Sequence, residues 1–287
     1  MRKVMSRLKI SAISYLNTAP LMWDFEHSVS GADFEISYTI PSACAQALRQ
    51  GAADIGIIPA AAYATIPDLI VIPDVAIAAR RAVRSILLVS RRRTDSTMVD
   101  ATGANQHWAK VRTVALDTSS MTSVALVKVL FANWLGGARD YRAMAPDLDA
   151  MLEACDAALL IGDPALRVDR MRYFTLDLAE EWVARTGKSF VFAFWAIRGQ
   201  ALAGRNGGAI AQLFKQSRDH GMSPKNLEAI AQEWAPRLGL SVEVVRGYLV
   251  HNIHYYLDPP CLEGLDLYYR LAAEVGALPR APGLRFV

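Results

Sequence analysis

Cysteine is scarce in this chain. Its three copies, Cys44, Cys155 and Cys261, are odd in number, far apart and never in a CxxC pair. That excludes a disulfide-framed fold and reads as reduced thiols. Long apolar runs are missing too. No stretch nears the roughly 20 apolar residues that cross a bilayer. The opening MRKVMSRLKISAISYL is basic but lacks the apolar core of a signal peptide. Nor is there a surplus of one charge, since 31 Lys and Arg face 28 Asp and Glu for a net +3. Such a balance argues against a nucleic-acid surface. The triplet Arg91-Arg92-Arg93 reads as a solvated strand end, with anion attraction as the alternative. The expectation is a soluble, cytoplasmic protein without nucleic-acid or membrane partners.

Several catalytic signatures are also missing. There is no GxSxG, so a serine-hydrolase elbow is disfavoured. There is no Walker A and no GxGxxG after the first strand, so nucleotide and dinucleotide cofactors are not expected. His251 and His254 are three apart in HNIHYYL, but no HExxH pattern accompanies them, and Cys261 lies beyond the Pro259-Pro260 break. They read as satisfied core or surface side chains, and no metal is expected. His27, His107 and His220 stand alone.

What is present is a large core and an alternating order. Hydrophobic residues make up 53% of 287, which excludes disorder. Runs at 9–13, 34–39 and 55–58 read as strands, with a helix over 42–50 between the last two, capped by Ser42 and stopped by Gly51. Residues 85–90, SILLVS, read as a further strand, followed by a polar loop or insertion, RRRTDSTMVDATGANQHWAK. A second series follows: a strand at 111–116, a helix at 120–135 ended by Gly136-Gly137, then strands at 157–161 and 174–178. SFVFAFWAIR is too aromatic and β-branched for a helix, whereas the pattern from about Ala209 onward is helical, with Ser223-Pro224 as a cap and first turn. This βαβα order predicts an α/β fold of two lobes with a largely parallel sheet in each. One lobe is expected to comprise 1–90 plus 191–287, the other 91–190. The chain would cross between them near Ser90 and near Phe190, with strand ends and helix starts facing one cleft.

Three polar clusters sit at expected strand-to-helix junctions. In ISYLNTAPL, residues 13–21, the hydrogen-bonding side chains are Ser14, Tyr15, Asn17 and Thr18. In DTSSMTS, 117–123, Ser119, Ser120, Thr122 and Ser123 flank Met121. The third is IGDPAL, with Gly162 and Asp163. One hydroxyl suffices to cap a helix. Four in five positions suggest an anion held at the helix start, where N–H groups lack partners. Capping remains the alternative there, and for Asp163 before Pro164. Ser85, after Arg84, opens a crossing strand whose side chains can meet a ligand in the cleft.

ISYLNTAPL, ADIGIIP, VRSILLVS, DTSSMTS, LLIGDPAL and DLAEEWVARTGKSFVFAFWA occur in this order. Together, over roughly residues 8–270, they resemble the chorismate dehydratase family of the futalosine route to menaquinone. The resemblance implies a type II periplasmic-binding-protein-like fold. It also implies a lyase that removes water from chorismate to give 3-[(1-carboxyvinyl)oxy]benzoate without metal or organic cofactor. Lys188 and a long 94–110 segment depart from the family pattern. The sister naphthoate synthase of the same route opens with a Cys- and Pro-containing motif that SYLNTAPL does not match. A non-catalytic anion-binding protein is the further alternative. The resemblance implies catalytic roles for Asn17 and Ser85. Ser14, Tyr15, Thr18, Arg84, Ser119, Ser120, Met121, Thr122, Ser123, Gly162 and Asp163 would then bind substrate. Asn17 has no useful basicity, so it would position and polarise while the substrate's own carboxylate takes the proton.

Overall fold

A computed structural model describes residues 7–28, 34–92 and 107–287. The opening residues 1–6, Arg93 and most of the expected loop or insertion, 93–106, lie outside the described residues.

Two five-stranded sheets carry the fold. The first is built from β1 (Leu8–Ile13), β2 (Phe34–Thr39), β3 (Ile55–Pro59), β4 (Leu69–Ala79) and a late strand, β10 (Phe190–Arg198). Its order is β2-β1-β3-β10-β4, parallel except that β10 runs antiparallel to β3 and β4. The second comprises β5 (Ile86–Arg91), β6 (Thr113–Asp117), β7 (Asp140–Met144), β8 (Ala157–Ile161) and β9 (Tyr173–Asp177). Its order is β7-β6-β8-β5-β9, with β5 antiparallel to both neighbours. Each sheet thus has one antiparallel strand inserted near its centre. The mixed α/β architecture matches the expected fold class.

Strands covered on both faces read as unbroken apolar runs rather than alternations. All five residues of β3 and of β8 are buried, as are eight of the nine in β10. In β5 the two faces serve different clusters. Ile86 and Leu88 join the main core, whereas Leu87 and Val89 join a smaller one with Met151 and Leu160. Because β5 bonds to β8 and β9, the chain changes sheet between Ala79 and Ile86, earlier than the expected Ser90. An apolar run buried on both faces carries no mark of the sheet it joins. The return lies between Thr186 and Phe190.

Local chemistry sets the helix ends. The helix Pro41–Gln50 begins one residue earlier than expected, with Ile40 in the cap position and Pro41 first. Proline lacks only an N–H that has no helical partner there. Ser42 is therefore not a cap; its backbone N–H donates to the Ser119 carbonyl at 3.0 Å. Gly51 ends the helix in the left-handed region, φ 73°. The tail helices Gly207–Gly221, Pro224–Leu238, Val242–His251 and Pro259–Glu274 follow β10. Among the described residues no helix is long and apolar enough to cross a membrane.

Candidate active site

After β1 the chain turns at Ser14-Tyr15 into a 3-10 helix, Leu16–Met22, with Pro20 inside it. Tyr15 occupies the cap position without a side-chain cap bond, and Asn17 and Thr18 are buried within the helix. Ser14 donates its hydroxyl to the Thr39 carbonyl at 3.2 Å. None of the four polar side chains therefore caps this element.

The second cluster resolves in the same direction. The helix expected from 120 runs over Thr122–Asn133, and Met121 stands in its cap position with no side-chain cap. Ser119 is bound to Asp117, which accepts the Ser119 hydroxyl at 2.6 Å and its N–H at 2.8 Å. The other Asp117 oxygen accepts the Ile161 N–H, so one buried carboxylate ties two loops together. Burial pushes this carboxyl up, opposed by its hydrogen bonds to Ser119 and Ile161. The Thr122 hydroxyl accepts from the Ala61 N–H at 3.1 Å and donates to the Phe192 carbonyl at 3.0 Å. The Ser120 and Ser123 hydroxyls make no hydrogen bond to the described residues, although both side chains are buried. With the unpaired N–H groups of the first turn, they form a cradle of neutral donors.

Gly162 and Asp163 belong to the short helix Gly162–Leu166, which starts after Ile161. Asp163 is not its cap. Its Oδ1 accepts the Leu16 N–H at 3.1 Å, from the far side of the cleft. Burial pushes the Asp163 carboxyl up to about 6, opposed by that N–H and by Arg167. Gly162 has φ 64°, and a Cβ there would come within 2.5 Å of the Tyr15 ring. Glycine thus lets the aromatic ring lie directly on the opposing backbone. The Tyr15 hydroxyl lies 3.4 Å from Ser119 Oγ, and burial pushes the phenol up. These contacts bridge the two sides of the cleft.

Tyr15, Asn17, Ser120, Met121, Thr122, Ser123 and Gly162 meet around one pocket between the sheets. About 430 Å³ of space lies between these side chains, open solvent included. Its other walls are apolar, among them Ile13, Pro59, Ile86, Ile161 and Phe192. Tyr15 is the sole titratable side chain among the described lining residues, and it is held neutral. The remaining expected site residues lie elsewhere. Ser14 and Thr18 line a neighbouring pocket on the other side of Tyr15. Ser119 is buried and bound to Asp117. Arg84 is exposed, at φ 64°, with its N–H bound to Asp177 at 2.6 Å. Ser85 is fully buried behind Ile86, and its Oγ accepts the Tyr248 hydroxyl at 2.8 Å.

Sequence reasoning missed Asp117, Asp177 and Tyr248. Asp177 caps the helix Leu178–Thr186 and also accepts the Val83 and Arg84 N–H groups, pinning the passage between sheets. Asp177 with Glu180 three residues on is a readable helix-start pattern. Nothing local marks Tyr248. Away from the pocket, His254, Asp258 and Cys261 bring one ligand atom each within 4.8 Å of one another. Asp258 is already paired with Arg80 and His254, and caps the last helix through Cys261 N–H.

The architecture is shared with solved structures of low identity. A Candida albicans protein with the generic periplasmic binding protein fold aligns with TM-score 0.68 and 12% identity, covering 97% of this chain and 92% of that one. The aliphatic sulphonate binding protein of Escherichia coli aligns with TM-score 0.65 and 17% identity, covering 99% and 94%. In sequence, a curated chorismate dehydratase of Thermus thermophilus is 29% identical over 290 residues, covering 93% of this chain and 94% of that one. A family model described as menaquinone biosynthesis matches residues 8–274. With nearly the whole of both sheets inside that match, the chain belongs to the menaquinone biosynthesis family.

Proposed function

We propose that this protein is a chorismate dehydratase, a hydro-lyase that converts chorismate to 3-[(1-carboxyvinyl)oxy]benzoate and water. The observation that carries the reading is the make-up of the pocket. Neutral donors on two opposing loops, Asn17 and Tyr15 on one and the Ser120–Ser123 helix start on the other, face each other across apolar walls. Chorismate has one carboxylate on a partly unsaturated ring and a second on its enolpyruvyl side chain, and two separated donor sets with a greasy belt between them suit that shape. Family membership and the Thermus thermophilus relative support the same substrate.

The chemistry asks little of the protein. The C3–H bond breaks with its electron pair forming the ring double bond as the C4–O bond breaks, and the abstracted proton departs with the C4 hydroxyl as one water; the ring becomes aromatic, which drives the reaction. The proton needs an acceptor. Among the described lining residues no side chain is an acid, an amine or an imidazole, and the Tyr15 phenol is pushed up by burial. The substrate's own side-chain carboxylate therefore takes the proton. The helix start holds one carboxylate, and Asn17 orients the other beside the C3 hydrogen. Fixing that conformer between donors already aimed at it supplies the rate.

Incubating the purified protein with chorismate and following mass and absorbance tests this directly. Loss of one water with a benzenoid spectrum is the expected result. Binding without turnover would favour a pure binding protein, as in several structural relatives. Unchanged chorismate with no binding would overturn the reading.

A further inference from the structure

β6 and β8 are parallel neighbours in the second sheet, and the residues that follow both strands line the pocket. After β6 come Ser120, Met121, Thr122 and Ser123; after β8 comes Gly162. One side chain joins the two strand ends. Asp117, the last residue of β6, is fully buried. Its Oδ1 accepts the Ser119 N–H at 2.8 Å and the Ser119 hydroxyl at 2.6 Å. Its Oδ2 accepts the N–H of Ile161, the last residue of β8, at 3.3 Å. The Asp117 carbonyl accepts the Ser120 N–H at 3.1 Å. A single residue thus fixes the loop leading into the Thr122–Asn133 helix and ties it to the turn that carries Gly162.

Only a carboxylate serves here. Its two oxygens accept from three donors, whereas an amide of the same shape has one acceptor oxygen and would turn its own N–H groups on the remaining donor. Yet burying a negative charge is unfavourable in itself, and this one stands behind a wall read as holding an anion. What the charge secures is spacing. The N–H groups and hydroxyls of a helix start bind a carboxylate well only when they are aimed before it arrives. We propose that Asp117 is a positioning residue of the dehydratase: it locks the ends of β6 and β8 together, so that the Ser120–Ser123 helix start and Gly162 form one rigid wall for the substrate carboxylate that does not take the proton. The inference rests on the dehydratase reading. It also gives Ser119 a role that fits its burial. Ser119 is a strut between Asp117 and the Tyr15 hydroxyl, 3.4 Å away, and does not touch the ligand.

The carboxylate on that wall is present in chorismate and in the product alike, so the wall holds both equally. Asp117→Asn keeps the shape and leaves one donor unmet. It is expected to raise KM for chorismate about tenfold or more, and the inhibition constant of added product by the same factor, while kcat stays within about threefold. Asp156→Asn is the control. Asp156 Oδ2 accepts the Arg112 N–H, the Thr113 N–H and the Thr113 hydroxyl at the opposite end of β6. That variant should melt earlier at unchanged KM and product inhibition. Wild-type KM and product inhibition in a folded Asp117→Asn protein overturn the inference. So does a kcat loss at unchanged KM, or an equal rise of KM in Asp156→Asn. If Asp117→Asn does not fold, Ser119→Ala decides. It removes one of the three bonds and should raise both constants about threefold; wild-type values in it overturn the inference. Wild-type protein that neither binds nor converts chorismate would defeat the functional reading and this inference together. Normal wild-type turnover beside an unaffected Asp117→Asn defeats this inference alone.

Discussion

Asn17 and Asp163 face one another's loops and make opposite demands on charge. Asn17 lies on the pocket wall as a neutral amide. Asn17→Asp puts a negative charge beside a dianion and removes the donor, so it and Asn17→Ala should both stay folded and lose most chorismate turnover. A lost bond to a charged group, worth roughly 1.5–3 kcal/mol, corresponds to about 10- to 100-fold. High activity in Asn17→Asp with low activity in Asn17→Ala would move proton transfer to position 17. Asp163 is the reverse case, a carboxyl whose charge burial disfavours. Its value rises from 3.8 to about 6 on folding. The stability it contributes is therefore complete below the ordinary carboxylate range and is lost as pH rises through about 6. Asp163→Asn keeps an acceptor for the Leu16 N–H and removes the charge. Thermal melts across pH should show the variant gaining on wild type from pH 4 to 7; parallel curves would mean that the carboxyl does not titrate as its burial implies.

At the scale of single elements, the helix start at Thr122–Asn133 divides its hydroxyls between two tasks. Thr122 is bonded at both ends within the protein, and Ser123 is not. Thr122→Ala should thus lower stability by about 1–3 kcal/mol, the cost of leaving buried groups unpaired. Ser123→Ala should raise KM for chorismate by about tenfold with little change in melting temperature. Equal behaviour of the two in binding and melting assays would erase the distinction. This division was not legible in DTSSMTS. The string shows that hydroxyls exceed what a cap needs, but which of them meets Phe192 depends on a strand 70 residues away. The strands themselves were legible wherever apolar runs were bounded by turn residues: β2 and β8 match their expected spans. The order of the sheets was not, since β5 and β10 enter as antiparallel strands from distant parts of the chain. Ser85 illustrates the gap. Its place at the start of β5 could be read, but burial behind Ile86 and the bond to Tyr248, 163 residues on, could not.

For the molecule as a whole, the decisive contacts run between the two sheets. Ser42 N–H meets the Ser119 carbonyl, Leu16 N–H meets Asp163, and the Tyr15 ring rests on Gly162. Gly162→Ala should strike at all of this without touching the donors, because the new Cβ would overlap the ring and the residue has φ 64°. The variant is expected to stay folded, scatter X-rays as a more open particle, and bind chorismate more weakly. A wild-type scattering profile with wild-type affinity would show that the ring moves aside freely. The bridged cleft has a further consequence, for kinetics. Passage past a tyrosine ring that lies on bare backbone requires the two sides of the cleft to part. The aromatic product and the newly formed water leave by the same movement. Each turnover then includes two strokes made against the surrounding fluid, so a thicker medium such as concentrated sucrose slows the cycle even though the bond-breaking step is untouched.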